Sequence, residues 1–255
     1  MPRRAIPPHV RDAWQDRSIA RLREGLAEAT AAPVAALVFD AYGTLFDVRS
    51  VEAACATISL DPPAFVAHWR AKQLEYSWQR SLMGRYADFA TVTAEALEQT
   101  LRRFRTHIDD EIFADLLDAW RTLAPFPEVR AALDALAPRP LAILSNGSPA
   151  MLDALLRHTR LAGHFAAVLS VDAAKTYKPD PRAYALATAA LDLPAARILF
   201  VTANAWDAVG AKTFGFRVAW CNRLTLPFDP HGPAPDLEIT TLAELANTLE
   251  EDVAG

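Results

Sequence analysis

Apolar residues change their spacing twice along this chain. Residues 34–39 read VAALVF, an unbroken apolar run that halts at Asp40 and a small-residue turn. A short run stopped by turn chemistry predicts a strand buried on both faces. Across residues 48–121 the apolar positions recur at three and four, in FVAHWRAKQLEYSWQRSLM, DFATVTAEALEQTLRRF and DDEIFADLLDAWRTL, with residues 60–63 as punctuation. That period belongs to helices, and no strand pattern interrupts it. Beyond Pro125 and Pro127, short apolar runs return and alternate with helical stretches. Strands are predicted at LAILS (141–145), FAAVLS (165–170), RILFV (197–201) and FRVAW (216–220). Helices are predicted near 128–137, after Pro149, and near 181–191, 206–214 and 241–249, the last beyond a Pro-rich loop at 227–235.

Strands alternating with helices imply right-handed crossovers, so the pattern predicts an α/β fold. Its core is a doubly wound parallel sheet, Rossmann-like, with a helical cap subdomain inserted after the first strand. The expected organisation is an N-terminal extension over 1–33, a core made of 34–48 and 122–255, and a cap over 49–121. The extension carries Pro2, Pro7 and Pro8, scattered arginines, and the segment RLREGLAEATAA, which reads as one amphipathic helix of a pendant or docked arm.

Composition narrows the class without naming a chemistry. With 255 residues, 52% apolar and 22% charged, the chain has the balance of an ordinary globular protein with a sizeable core. A net charge of −5 argues against a nucleic-acid partner, which needs a concentrated basic face. Cys55 and Cys221 are two cysteines far apart, the usage of a reducing compartment. There is no apolar run of about 18 residues, and Arg3 and Arg4 are not followed by the apolar stretch of a leader. No membrane partner is expected, and the expected location is cytoplasmic.

The candidate chemistry gathers where the strands end, the edge at which ligands bind in open α/β sheets. Asp40 follows the first strand, with Thr44 and a second acid, Asp47, close behind. The second strand ends in Ser145, Asn146, Gly147 and Ser148 before Pro149, a turn that can bind an anion or simply cap a helix. Lys178 lies in KTYKPDPRAY, with Tyr184 six residues on, and an ammonium beside a carboxylate keeps it ionised. The next strand delivers Thr202, Ala203, Asn204, Trp206 and Asp207. Alone, each is ordinary turn or helix-end chemistry, Asp207 included. In register at one sheet edge they make a site.

The stretch FDAYGTLFD resembles the nucleophile motif of the haloacid dehalogenase superfamily, an Asp after a strand with a Thr four residues later, here Asp40 and Thr44. Together FDAYGTLFDV, WRAKQLEYSWQRSLM, LSNGSP, YKPDPRAY and FVTANAWDAVGAKTFGF, in order from residue 34 to about 223, are similar to the L-2-haloacid dehalogenases. The resemblance implies a HAD-like fold, with Asp40 as nucleophile and Thr44, Ser145 and Lys178 orienting it and binding substrate. It implies a polar shell of Tyr184, Thr202, Asn204 and Asp207, halide acceptors in Arg70 and Asn146, and a pocket walled by Tyr42, Leu74, Phe89 and Trp206. It further implies hydrolysis of L-2-haloalkanoic acids through a covalent aspartyl ester with inversion, without metal or cofactor, in a homodimer whose ligands are the small 2-haloacid and halide.

The residue two after Asp40 separates the branches of that superfamily. Phosphatases carry a second Asp there, which protonates an alkoxide and helps hold magnesium; this chain carries Tyr42. A phenol of pKa about 10 is a poor acid at neutral pH and a poor ligand for a hard cation, whereas halide leaves without a proton. Ala203 likewise stands where those phosphatases place a magnesium-binding Asp. A magnesium phosphatase or phosphonatase is the rival enzyme reading, and a binding protein on a dead catalytic domain is the rival of another class. The second rival predicts loss of the nucleophile or of the cap arginine, and Asp40 and Arg70 are both present. Arg70 shares a helical face with Leu74, and guanidinium is always charged and weakly hydrated, which suits a large soft anion. Departures from the family pattern are Thr202-Ala203, where Ser-Ser is usual, and Ala71, where Gln often follows the cap Arg.

Overall fold

In the computed structural model, which describes residues 33–228 and 231–254, the first apolar run forms β1 (Ala36–Phe39), with all four side chains buried. The extension expected over 1–33 lies outside the described residues, Pro33 excepted. β2 (Leu141–Ser145) and β4 (Ile198–Thr202) are also buried at every position, so both faces of the central sheet are covered. With β3 (Ala167–Ser170), β5 (Arg217–Cys221) and β6 (Leu237–Ile239) they make a six-stranded sheet in the order β3-β2-β1-β4-β5-β6. All neighbours run parallel.

Between β1 and β2 the chain is helical: α1 (Val51–Cys55), α2 (Pro62–Leu82), α3 (Phe89–Phe104) and α4 (Asp110–Ala119). Asp61, Asp88 and Asp109 each accept a backbone N–H of the turn they start, satisfying donors that a helix end leaves unpaired. α2 and α3 are joined by polar bonds inside their interface. Trp69 Nε1 donates to the Thr93 carbonyl at 2.9 Å, and Gln73 Nε2 to the Thr93 hydroxyl at 3.0 Å.

The core helices are α5 (Val129–Leu136), α6 (Pro149–Thr159), α7 (Pro181–Leu191), α8 (Ala205–Phe214) and α9 (Leu242–Ala254). α5 packs on α9, and α7 on α8. Among the described residues no helix is long and apolar enough to cross a membrane.

Most strand bounds differ from the sequence reading by one or two residues, because ladder hydrogen bonding and not the apolar run sets where a strand begins and ends. β6 is a real departure. Its three residues, LEI, follow a Pro-rich loop and are too short to show a period, so only pairing with β5 defines them.

The winding positions the site. From β1 the chain adds strands on one side, β2 then β3, and returns to add β4 and β5 on the other. Loops leaving β1 and β4 therefore diverge, and the crevice between them is the switch point at which ligands bind. The helical insertion reaches over this edge. Trp78 Nε1 donates to the Lys178 carbonyl at 3.2 Å, the Tyr177 N–H to Ser81 Oγ at 3.0 Å, and the Tyr177 hydroxyl to the Ala87 carbonyl at 2.6 Å.

Candidate active site

Asp40 is the first residue past β1, and its N–H still bonds the Val201 carbonyl of β4 at 2.9 Å. The chain then turns tightly: the N–H groups of Leu45 and Phe46 return to the Ala41 carbonyl, and Gly43 sits at φ 84°, where a side chain would be strained. This turn brings Thr44 back under the carboxylate. The Thr44 hydroxyl donates to Asp40 Oδ2 at 3.2 Å and accepts the Ala203 N–H at 2.9 Å. Asn204 Nδ2 reaches the same Oδ2 at 2.8 Å and the Tyr42 carbonyl at 3.2 Å. The Thr202 hydroxyl in turn accepts the Asn204 N–H at 3.1 Å, so the β-branched residue performs this bond without help from Ala203.

Lys178 joins two carboxylates. Its Nζ donates to Asp40 Oδ1 at 2.9 Å and to Asp207 Oδ2 at 2.7 Å, and Lys178 and Asp207 are fully buried. The other oxygen of Asp207 accepts the Tyr184 hydroxyl at 2.7 Å. Burial pushes Asp207 up to about 6, against the pull of Lys178 and with the repulsion of Asp40 added. For Lys178, burial works downward, but the charge and hydrogen bonds of Asp207 and Asp40 outweigh it, and its pKa ends above the ordinary value. Burial, then Asp207, raises Tyr184 well above the ordinary phenol, so it stays a donor. Two carboxylates and one ammonium leave one net negative charge at the head of β1.

The halide and pocket residues also converge. Asn146 Oδ1 accepts the Lys178 N–H at 3.0 Å, which leaves its amide NH2 as a donor. Arg70, on α2, is half-buried and makes no hydrogen bond or ion pair among the described residues. Burial lowers its pKa while Asp40, Tyr42 and Asp207 pull it up, which puts its charge within electrostatic reach of all three. The Tyr42 ring packs on Phe89 and Trp120 at 5.9 and 6.0 Å. Among the described residues its buried hydroxyl has no hydrogen-bond partner, nor does Trp206 Nε1. Leu74 and Trp206 line one cavity together with Asn204.

The Ser145 hydroxyl accepts the Gly147 N–H at 3.1 Å, which leaves its O–H as a donor at the end of β2. Asp47 caps the short turn at Val48–Ser50 and pairs with Arg49 at 2.7 Å, a structural role. Sequence reasoning placed Gly147 in an anion-binding turn without its role beside Tyr42, and missed Arg223. A Cβ on Gly147 would come within 2.8 Å of the Tyr42 ring, so the ring position depends on that glycine. Arg223 donates to the Thr44 carbonyl at 2.9 Å and to Glu128 at 2.7 Å, with its guanidinium 3.7 Å over the Phe126 ring. Its place just past β5, on the same sheet edge, was the available signal. Among the described residues no cluster of His, Cys, Asp and Glu is arranged to hold a metal ion.

Residues 34–215 match the family model of the haloacid dehalogenase-like hydrolases. A (S)-2-haloacid dehalogenase of Pseudomonas sp. (strain YL) is 46% identical over 84% of this chain and 94% of its own. A (S)-2-haloacid dehalogenase of Xanthobacter autotrophicus is 48% identical over 75% of this chain and 76% of its own. Among solved structures, an L-2-haloacid dehalogenase from Xanthobacter autotrophicus, with chloropropionic acid covalently bound, aligns at a TM-score of 0.81 and 41% identity, covering 85% of this chain and 98% of that one.

Proposed function

This chain belongs to the haloacid dehalogenase-like hydrolases, and from that premise we propose that it hydrolyses L-2-haloalkanoic acids to D-2-hydroxy acids through an ester on Asp40. The observation that carries the reading is the line Asp40, Lys178, Asp207: a nucleophilic carboxylate and a second carboxylate, held by a single buried ammonium.

Asp40 attacks C2 in line with the departing halogen, forming the C2–O bond as the carbon–halogen pair leaves with halide. One in-line displacement inverts C2. Arg70 and the Asn146 NH2 accept the halide; the orphaned donors on Tyr42 and Trp206 are where further polar contact to substrate is gained. Thr44 and Asn204 hold Oδ2, and Lys178 holds Oδ1, so the carboxylate is aimed before substrate arrives. Water then attacks the ester carbonyl carbon. Asp207, with its pKa pushed to about 6, is ionised at neutral pH yet basic enough to take the water proton. As the tetrahedral adduct collapses, the proton held by Asp207 passes to the departing C2 alkoxide, the 2-hydroxy acid leaves, and Asp40, now with one oxygen from water, releases the remaining proton to solvent as it returns to carboxylate. The cation between the carboxylates is the protein's own Lys178, so the chemistry closes without a metal. Buried free thiols at Cys55 and Cys221 support a cytoplasmic site of action.

A single turnover in heavy-oxygen water tests the mechanism. Label should enter the peptide holding Asp40, while the first hydroxy acid carries unlabelled oxygen. Label in that first product would mean that water attacks C2 directly.

A further inference from the structure

Asp207 stands in the first turn of α8, and Gly210 follows three residues on, along the same side of the helix. A Cβ built on Gly210 would run into the Tyr184 hydroxyl oxygen and lie 2.6 Å from the Cβ of Pro179, closer than unbonded atoms pack. Neither neighbour has room to withdraw. The Tyr184 ring is fully buried among Phe200, Phe214 and Phe216, with centroids 5.8, 5.7 and 6.0 Å away. Pro179 follows Lys178, whose N–H donates to Asn146 Oδ1 at 3.0 Å and whose carbonyl accepts Trp78 Nε1 at 3.2 Å, so that segment is pinned on its far side. Both groups that grip the Asp207 carboxylate therefore press on one position: Tyr184 through its hydroxyl, 2.7 Å from Oδ1, and Lys178, 2.7 Å from Oδ2, through the proline after it. Alanine would be the better helix former inside α8, so room, and not helix propensity, is what glycine supplies there.

We propose that Gly210 is the positioning residue of the general base: its missing side chain lets Tyr184 and the Lys178–Pro179 segment close on Asp207 together. The proposal rests on the dehalogenase reading and deepens it, since it concerns the step in which Asp207 takes the water proton. A side chain at 210 would drive the Tyr184 hydroxyl off Asp207 and shift Lys178 with Pro179. Burial holds the Asp207 pKa up, and the charge of Lys178 and the Tyr184 hydroxyl draw it back, so loosening either partner raises it further. Asp40 keeps its two bonds to Oδ2, from Thr44 and Asn204, which makes halide displacement the less affected step.

The experiment follows bromide release from (S)-2-bromopropanoate by the full chain and by Gly210→Ala, in the first turnover and in the steady state, from about pH 5 to 8. In the variant, one bromide per enzyme should leave at a rate within about threefold of wild type, followed by a steady state slowed about tenfold or more, because the ester on Asp40 waits for its base. The acid limb of its kcat should lie at higher pH than in wild type. Equal loss of both phases with the limb unmoved would make Gly210 a packing residue, and wild-type values throughout would show that the base needs no gap; either overturns the proposal while dehalogenation stands. Should Gly210→Ala fail to fold, adding Tyr184→Phe removes the oxygen that the new Cβ meets. That double variant should fold and share the acid limb of Tyr184→Phe alone, whereas one that also fails to fold, or keeps the wild-type limb, overturns the positioning role. Absence of bromide from the wild-type chain at every pH overturns the dehalogenase reading, and the proposal with it.

Discussion

Replacing Lys178 with methionine isolates the charge that holds the site together. Methionine is unbranched and of similar length, so most of the packing volume survives while both hydrogen bonds, 2.9 Å to Asp40 and 2.7 Å to Asp207, are lost. Two carboxylates then face each other in a place where Asp207 is fully buried and Asp40 nearly so. Removing one partner of a buried ion pair costs about 3–5 kcal/mol, or roughly 6–20 °C in Tm for a chain of this size. The cost has a direction in pH. In the wild type Lys178 pulls the Asp207 pKa down against burial, so in the variant that pKa rises further. A folded-state pKa above the unfolded one stabilises below the unfolded pKa, and that contribution is lost as pH rises through the folded value. The deficit of the variant should therefore be largest near pH 7.5 and shrink toward about pH 5 as the carboxylate pair takes up a proton. Lys178 itself, with its pKa above the ordinary value, stays charged across that range and adds no slope. Urea unfolding of both proteins at the two pH values measures this. A deficit under about 1 kcal/mol, or one equal at both pH values, would refute the account of a charge-bridged pair.

Arg70→Lys keeps the charge but loses the planar donor fork, and should lower kcat about a hundredfold, near 3 kcal/mol, with bromide release as the readout; a wild-type kcat would return Arg70 to a packing role. If Asp207 is the base, kcat should fall on the acid side with a limb near pH 6, since protonated Asp207 accepts no proton. Tyr184→Phe removes a donor that holds Asp207 ionised and should move that limb upward; a flat profile between about pH 5 and 8 in both enzymes would exclude Asp207. Gly147→Ala places a Cβ against the buried Tyr42 ring and should cost about 1–3 kcal/mol in urea unfolding and raise KM, whereas an unchanged KM would separate Tyr42 from substrate binding.

The element types and the polar residues at each strand end were legible in the chain before any packing was known. Periodicity and turn residues act within a few neighbouring positions, so the buried β1, the helical run over 51–119 and the halting residue Asp40 are all visible in a short window. Motif order then placed Thr44, Lys178, Asn204 and Asp207 on the sheet edge that β1 shares with β4. What the window hides are partners far apart in the chain. Lys178 meets Asp40 across 138 positions and Asn204 meets it across 164, distances set by crossovers and sheet order. The same blindness covers β6, which exists through its ladder to β5. Arg223 and Gly147 belong here too, since one acts through the Thr44 carbonyl and the other by yielding space to Tyr42. Local pattern selects a conformation for each segment; only packing decides which polar groups are buried together, and therefore which of them share a proton, a charge or a substrate.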